Sequence, residues 1–341
     1  MDIQKEEKRE LKERIMRSVT GYKRRERIKR GTLVLGCAVL MLSAGWFYLG
    51  GEQPSAIYDY ARTLDRDSQK NGGKVELILE KGQRVKLAES DSTITYSQTG
   101  SKVTIGKSKI ISRENTGKEK TAYNTLVVPY GRRSRIELSD GTVVWLNSGS
   151  RLVYPTAFPD DKREVYLEGE GIFEVAHNKK KPFMVLADNH KIRVLGTVFN
   201  VSNYKEDNSV KTVLKSGSVE VEYRGDGIWK GKETIKIAPG TMTEYEKNTG
   251  KMTSGEVDVE DFFSWKEGVL ILKSSKMEDI VKKLSRYYNI EIKIEDEKLA
   301  KETFSGHLDL KESVENVIRT INKTTDFKYF RSEENNQWII N

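Results

Sequence analysis

The sequence predicts a single-pass membrane protein whose external part is an all-β region, built as a sandwich or a stack, followed by a small α+β domain. Three observations carry that expectation. A basic N-terminal block runs into an uncharged stretch of bilayer length. Short alternating runs punctuated by turn residues fill positions 75–250. From Phe262 onward the apolar period changes from two to that of a helix and back. With 341 residues, 32% of them charged and 36% hydrophobic, the chain is long enough for two or three domains and apolar enough to build cores. A single cysteine, Cys37, excludes an intrachain disulfide framework and a cysteine zinc site. Three scattered histidines, His177, His190 and His307, argue against a histidine metal centre. No cofactor is expected.

The net charge of +8 is local. Residues 1–30 hold 12 Lys/Arg and 6 Asp/Glu, and 31–51 hold no charge, which leaves a nearly balanced 47 and 45 for 52–341. The excess is therefore no nucleic-acid footprint. As a helix, the 21 residues GTLVLGCAVLMLSAGWFYLGG reach about 31 Å, close to the thickness of a bilayer core. Trp46, Phe47 and Tyr48 stand at the far end, where an aromatic belt belongs. A cleaved signal peptide has a shorter apolar run and a small-residue cleavage site. A lipid anchor on Cys37 fits poorly, because the apolar run continues past it. The excess of Lys and Arg on the N-terminal side places that end in the cytoplasm and 52–341 outside. Within 1–30, Leu11, Ile15, Val19 and Tyr22 recur at helical spacing among basic residues, a narrow apolar stripe suited either to anionic lipid or to a partner's groove.

Residues 52–121 are expected to form a polar tether followed by β hairpins, and 122–250 a β domain. VELIL, RVKL, SRIEL, TVVWL, EVYL, FMVLA, KIRVLGTVFNV and VEVEY read as strands. Leu79, Gly82, Val85 and Leu87 recur 59 residues later as Leu138, Gly141, Val144 and Leu146, and Tyr96 answers to Tyr154. Each copy reads as a hairpin turning on its glycine. Polar stretches at 112–122 and 248–261 are expected to separate two β subdomains and to end the β region.

In the domain at 262–341, GVLIL reads as a strand. Ser275 with Glu278 reads as a capping box opening a helix that buries Met277, Ile280, Val281, Leu284 and Tyr288. NIEIKI and KETFSGHL follow as strands. Asp309 with Glu312 is expected to cap a second helix, and FKYF and QWII close the chain. The order is β-α-β-β-α-β-β, with helices on one face of a sheet and the segment Gln337, Trp338, Ile339 and Ile340 as an open edge available to a partner by strand addition.

Several catalytic and ligand motifs are set aside. GSKVTIGKS at 100–108 has the wrong glycine spacing for a phosphate loop and runs into a strand. Arg224-Gly225-Asp226 sits in a turn between strands. Asp160, Asp161, Glu168 and Glu170 fall in a loop and a strand rather than as a facing carboxylate pair. There is no positive sign of an enzyme. Two other classes remain open: a membrane-tethered module that binds glycan or envelope components, and an anchored hydrolase.

LVVPYGRRSRIELSDGTVVWLNSGSRLVYP, YLEGEGIFEVAHNKKKPFMV, IRVLGTVFNVSNY and LKSGSVEV together resemble the FecR family of anti-sigma regulators, from about 122 to 247. The region from 262 resembles the C-terminal domain that accompanies it, and the small signalling modules of secretins and TonB-dependent transporters. The resemblance implies a protein of the inner membrane with a cytoplasmic N-terminus and a periplasmic bulk. It implies two partners: the signalling domain of an outer-membrane TonB-dependent transporter, and a cytoplasmic extracytoplasmic-function sigma factor. On that reading the Leu11, Ile15, Val19, Tyr22 stripe faces the sigma factor, and Gln337–Ile340 faces the transporter. The matched positions Gly141, Trp145, Leu146, Asn147, Phe173, Pro182, Phe183, Gly196, Thr197, Phe199 and Asn200 are expected to be structural. The cytoplasmic piece is shorter than in many members of the family.

Overall fold

An alternating run becomes a strand when its apolar face finds a second face to bury against. A computed structural model describes residues 55–63, 73–80, 82–88, 93–106, 109–112, 122–188, 190–225, 231–332 and 337–341, together with positions 12, 14, 16, 32, 35–43, 45 and 46. The chain divides into two bodies, Met1–Ser55 and Ala56–Asn341. In the first, residues 35–43 are helical, and the apolar side chains of Leu35, Val39, Leu40, Met41 and Leu42 are exposed. Among the described residues no helix is long and apolar enough to cross a membrane. The stripe Leu11, Ile15, Val19 and Tyr22 and positions 31, 33, 34, 44 and 47–51 lie outside the described residues.

The second body opens with a helix, α1 (Ala56–Thr63), then β1 (Glu76–Ile78), β2 (Arg84–Lys86), β3 (Thr93–Tyr96), β4 (Lys102–Ile105), β5 (Lys109–Ser112) and β6 (Tyr123–Val128). Next come β7 (Ser134–Glu137), β8 (Val143–Leu146), β9 (Ser150–Pro155), β10 (Arg163–Glu174), β11 (Phe183–Ala187) and β12 (His190–Val194). β13 (Val198–Asn203), β14 (Ser209–Ser216), β15 (Val219–Arg224), β16 (Lys232–Ile237), β17 (Thr241–Glu246) and β18 (Met252–Glu256) complete the β region. One sheet runs β2-β1-β6-β9-β10-β11-β12-β15-β16. The other runs β5-β4-β3-β7-β8-β10-β13-β14-β17-β18. Their inner faces share a single core, in which Leu77, Ile94, Leu126, Ile136, Leu146, Phe173, Phe199 and Val219 are fully or almost fully buried.

β10 belongs to both sheets. Tyr166, Leu167 and Glu168 pair with β9, whereas Gly169 to Glu174 pair with β13. The strand changes sheet at Gly169, where φ is +94° and a Cβ would stand 2.5 Å from Ser150 Oγ. Only glycine meets both conditions. The internal repeat is structural: Gly82 and Gly141 turn with φ of +77° and +82°, and each N–H donates to the carbonyl of the leucine three residues earlier. The equivalent tyrosines meet, with Tyr96 Oη 3.1 Å from Tyr154 Oη and Asn124 donating to Tyr96 Oη at 2.6 Å.

Three boundaries differ from the sequence reading. The polar stretch at 112–122 does not interrupt the sheets, because β1 pairs with β6 and β3 with β7 across it. The β region runs on to Glu256, since β18 pairs with β17 although its side chains are almost all exposed. Within the expected tether, Ile57 and Ala61 of α1 bury against Val153, Tyr166 and Leu186, and Tyr58 meets Tyr166 edge-on at 5.8 Å. One buried i, i+4 pair is too short a signal to mark a helix in sequence.

The C-terminal module comprises α2 (Glu260–Phe263), a 3-10 turn at Ser264–Glu267, β19 (Val269–Lys276), α3 (Met277–Tyr288), β20 (Glu291–Ile294), α4 (Glu297–Lys301), β21 (Thr303–Asp309), α5 (Val314–Asn322), β22 (Tyr329–Ser332) and β23 (Gln337–Ile340). The expected order is present with the short α4 added. The expected single sheet is instead two: β19 pairs with β21, and β23 lies between β20 and β22. Leu270 and Leu308 of one sheet and Ile292 and Ile340 of the other share a core with Ile280 and Leu284 of α3 and Ile318 and Ile321 of α5. The Ser275 capping box does not form. Ser275 and Lys276 continue β19 opposite Phe304 and Thr303, so the ladder claims the residue that local signals assign to a cap. Ser313, not Asp309, caps α5, accepting from the Asn316 N–H, while Asp309 Oδ1 accepts from the Lys311 N–H in the preceding turn.

Candidate functional site at the junction of sandwich and module

A buried arginine stands at the centre of the contact between module and sandwich. Arg286 lies in the last turn of α3, 7% exposed, with its guanidinium aimed at the loop between β13 and β14. Its Nε donates to Glu206 Oε1 at 3.2 Å, and its Nη2 donates to Asp207 Oδ1. The guanidinium carbon lies 3.7 Å from the centre of the Tyr204 ring. Tyr204 is itself held by donating to the Ser148 carbonyl at 2.9 Å, and Tyr130 donates to the same Glu206 oxygen at 2.9 Å. A planar cation therefore has carboxylates in its plane and an aromatic ring on its face, the arrangement arginine satisfies and lysine does not.

The backbone closes the same contact. Gly131 N–H donates to the Arg286 carbonyl at 2.8 Å, one of the helix-terminal carbonyls that α3 leaves free. Gly131 has φ +78°, and a Cβ there would press on Asn289 Cβ at 3.1 Å. Arg133, two residues on, donates to the Trp265 carbonyl at 2.6 Å and to Tyr287 Oη at 3.3 Å, and lies 5.0 Å over the Tyr287 ring. Below, Phe263 and Trp265 pack with Ile172 and Val213 of the sandwich. Asn200 Nδ2 donates to the Phe262 carbonyl at 3.2 Å and to Glu170 Oε1 at 3.1 Å.

Burial alone pushes Arg286 down, but the facing Tyr204, Asp207 and Glu206 outweigh it and hold it above its ordinary value. Burial likewise works against the Glu206 charge, and Arg286 reverses that, keeping its carboxyl below the usual range. Burial, with Glu206 alongside, pushes Tyr130 up to about 12. At neutral pH Arg286 and Glu206 therefore face each other as charged groups.

The expected structural residues fall where turns and cores require. Leu146, Phe173, Phe183 and Phe199 are fully buried, with Phe173 stacked on Phe199 at 5.2 Å. Thr197 Oγ1 donates to the Ser218 carbonyl, and the Pro182 carbonyl accepts from Arg163 N–H. Gly196 sits against His177, and Gly141 makes its turn. Asn147, Trp145 and Asn200 lie near the junction. Asn147 and Asn200 grip Glu170 from two sides, and Asn200 and Trp145 meet the segment leading into the module. Sequence reasoning missed Arg286, Glu206 and Asp207. No sequence signal marked them: Arg286 lies on the face of α3 opposite Ile280, Val281 and Leu284, where a charged residue reads as solvent-facing, and its acidic partners are about 80 residues away.

The expected open edge at Gln337, Trp338, Ile339 and Ile340 is not one. β23 pairs with β20 on one side and β22 on the other, so its backbone groups are used, and Trp338 and Ile340 are buried in the module core. A terminal strand is an edge only if the chain adds it last on the outside, and here it inserts between two earlier strands. The carboxylates considered for hydrolysis are engaged separately: Glu168 binds Arg151 at 2.6 Å, and Glu170 is held by the two asparagines. Among the described residues no three His, Cys, Asp or Glu side chains gather as a metal site.

The two halves joined by this lock match two family models in order. The model of the FecR protein covers residues 124–220, and that of the FecR C-terminal domain covers 269–340. The chain belongs to the FecR family. Two crystal structures of a protein from Parabacteroides distasonis ATCC 8503, named as a putative anti-sigma factor and solved at 1.65 and 2.50 Å, are similar to it. Each is 28% identical, covers 64% of this chain and 98% of its own, and superposes with a TM-score of 0.58. No curated protein matches the chain. In this FecR chain the arginine lock therefore joins the two parts that the family models describe separately.

Proposed function

We propose that this FecR-family protein is a sigma regulator of the inner membrane that relays the ligand-bound state of an outer-membrane TonB-dependent transporter to a cytoplasmic extracytoplasmic-function sigma factor. The observation that carries the reading is the ordered pair of FecR domains locked through Arg286, beside solved relatives named as an anti-sigma factor. The likeness supports a role in sigma regulation. The relay is the finer reading, favoured by the charge distribution: a basic block, an uncharged run of 21 residues and a balanced remainder. Helical residues 35–43, apolar and exposed on all sides, suit lipid better than water. The module receives the transporter, and the cytoplasmic stripe Leu11, Ile15, Val19 and Tyr22 holds the sigma factor. With β23 enclosed, docking by strand addition falls to the outer strands of the module, β20 or β22, rather than to Gln337–Ile340.

The test is Ile15→Asp in the full chain, reading target-gene transcription and co-purification of the sigma factor from membranes. A carboxylate forced into an apolar contact is expected to uncouple transcription while abundance and membrane insertion stay unchanged. Unchanged transcription and unchanged co-purification refute sigma capture by the stripe.

A further inference from the structure

Between the β1–β2 hairpin of one sheet and β4 and β5 of the other lies an open pocket of about 180 Å³. Leu79, Val103, Ile111 and the ring of Tyr96 give it apolar walls, and all four belong to the sandwich core or pack against it. Backbone closes one end. The β3–β4 turn brings Gly100, at a φ of +67°, so near the end of β9 that a Cβ there would stand 2.3 Å from the Thr156 carbonyl oxygen.

Two buried polar side chains also line the pocket, Tyr96 at 6% exposure and Asn124 at 2%. Asn124 Oδ1 accepts from the Glu80 N–H at 3.1 Å, which fixes the orientation of the amide, and Nδ2 donates to Tyr96 Oη at 2.6 Å. Tyr154 is fully buried, and its hydroxyl meets Tyr96 Oη at 3.1 Å. If Tyr96 donated in that contact, the Tyr154 proton would be left in the core without an acceptor, at the full desolvation cost of the group. Tyr154 is therefore the donor, and Tyr96 Oη accepts from both neighbours. Burial pushes the Tyr96 hydroxyl up to about 12, so it carries its own proton at neutral pH. Among the described residues neither that proton nor the second amide hydrogen of Asn124 has an acceptor, and the pocket is the open space beside both groups.

Two donors without partners in an apolar wall select for an acceptor. Glu80 on the rim disfavours an anion. We infer that the pocket binds a small uncharged molecule with an apolar ring and a carbonyl oxygen, a cyclic ketone, lactone or lactam, whose two lone pairs take the Tyr96 O–H and the Asn124 N–H. A dry cavity of about 150 Å³ holds benzene, so about 180 Å³ admits a six-membered ring with one substituent. The ring lies between Leu79 of one sheet's hairpin and Val103 and Ile111 of the other sheet. The site owes nothing to the relay reading, since none of its residues belongs to the junction or to the N-terminal stripe.

The probes are cyclohexanone and methylenecyclohexane, which share a shape and differ in C=O against C=CH2. Each is titrated into the full chain in lipid nanodiscs, with the free concentration measured in the headspace, while the methyl resonances of Leu79, Val103 and Ile111 are followed. Cyclohexanone is expected to shift all three saturably with a Kd below about 5 mM, in the range for a ligand of about seven non-hydrogen atoms. Tyr96→Phe keeps the ring and removes the proton, and is expected to weaken cyclohexanone about tenfold and methylenecyclohexane less than about twofold. In the unsubstituted chain, the infrared carbonyl band of bound cyclohexanone is expected at or below its position in water. Ser112→Trp, which fills the mouth from an exposed position on β5, is expected to abolish binding of both probes while the methyls of Ile172 and Val213 stay in place. Exchanging 114–119 for a Gly-Ser linker of equal length is expected to change the Kd less than about threefold. The inference is overturned if 20 mM cyclohexanone gives no saturable shift, if its bound carbonyl band lies where hydrocarbon solvent puts it, or if Tyr96→Phe does not weaken it selectively. Binding that survives Ser112→Trp overturns it too, as does binding that is lost on the 114–119 exchange.

Discussion

Replacing Arg286 by Met keeps most of the side-chain volume and removes only the charge and its fork. Three contacts go: the contact with Asp207, the 3.2 Å contact with Glu206 and the face of Tyr204 at 3.7 Å. The Glu206 side chain is 39% exposed, so its share is discounted for solvent to about 0.5 kcal/mol. The Asp207 pair is less exposed and is worth about 1–2 kcal/mol, and a desolvated cation–ring contact adds about 1–2 kcal/mol. Relief of the desolvation of Arg286 returns part of this, which leaves about 2–3 kcal/mol. The loss falls on the junction rather than on either core, because Ile280, Val281 and Leu284 of α3 pack inside the module. Hydrogen exchange reads it directly: the Gly131 N–H, bonded to the Arg286 carbonyl, is expected to exchange about 30–100-fold faster, while amides of β10 and β13 keep their protection. A cycle with Asp207→Asn should return a coupling of at least 1 kcal/mol. Unchanged Gly131 exchange, or a coupling below about 0.3 kcal/mol, refutes the lock. Deleting 262–341 is the poorer experiment, since it uncovers Ile172 and Val213 and strands Glu206 and Asp207 together.

Further outcomes follow from single residues. His190 is 4% exposed against Tyr245, and burial, with Lys247 nearby, pushes it down to about 4. The folded state binds the proton more weakly than the unfolded one, so stability is full above about pH 6.5 and is lost as pH falls toward 4, by about 3 kcal/mol in all. His190→Phe should flatten melting temperature against pH over that window, and an equally steep profile in the variant excludes this histidine as the cause. Gly169→Ala meets both a φ of +94° and Ser150 at 2.5 Å, and is expected to destabilise the sandwich by about 2–4 kcal/mol in chemical denaturation. A loss under 0.5 kcal/mol there removes the sheet-switch argument. A topology reporter fused after Asn341 is expected to be active only as a periplasmic enzyme, and cytoplasmic activity defeats the membrane reading.

How much of this was legible depended on the range over which each residue acts. The strands at 76–78, 134–137 and 183–187 showed in sequence because alternation is local, and the Gly82 and Gly141 turns showed because glycine marks a positive φ. The buried face of α3 showed through helical period, with Met277, Ile280, Val281 and Leu284 inside as expected. What failed was set by pairing at a distance. Ser275 reads locally as a cap, but β21 takes it into a ladder. Gln337–Ile340 reads as the last strand and hence an edge, but sheet order is not chain order. The lock was invisible for the same reason, since Tyr130, Glu206 and Arg286 are ordinary surface types until the fold brings them together.

β10 is where these ranges meet. Its first half carries Tyr166, which packs with α1, and its second half carries Glu170 and Ile172, which face the segment leading into the module. In sequence, α1 begins at Ala56, five positions after the uncharged run ends. One strand thus connects the element next to the proposed membrane segment with the element that holds the C-terminal module. Continuity is not coupling, which needs an element with two arrangements that both ends bias. The sandwich is a poor choice for that element. β10 is hydrogen-bonded on both sides and pinned by the Arg151–Glu168 pair and by Arg163, which binds Asp140 and the carbonyls of Ala176 and Lys181. The junction is the better choice, because its polar contacts around Arg286 and its apolar contact of Phe263 and Trp265 on Ile172 and Val213 lie outside both main cores. If the junction is that element, Arg286→Met should raise exchange at the Gly131 N–H while amides of β10 keep their protection, and loss of protection along β10 instead would place the yielding element in the sandwich.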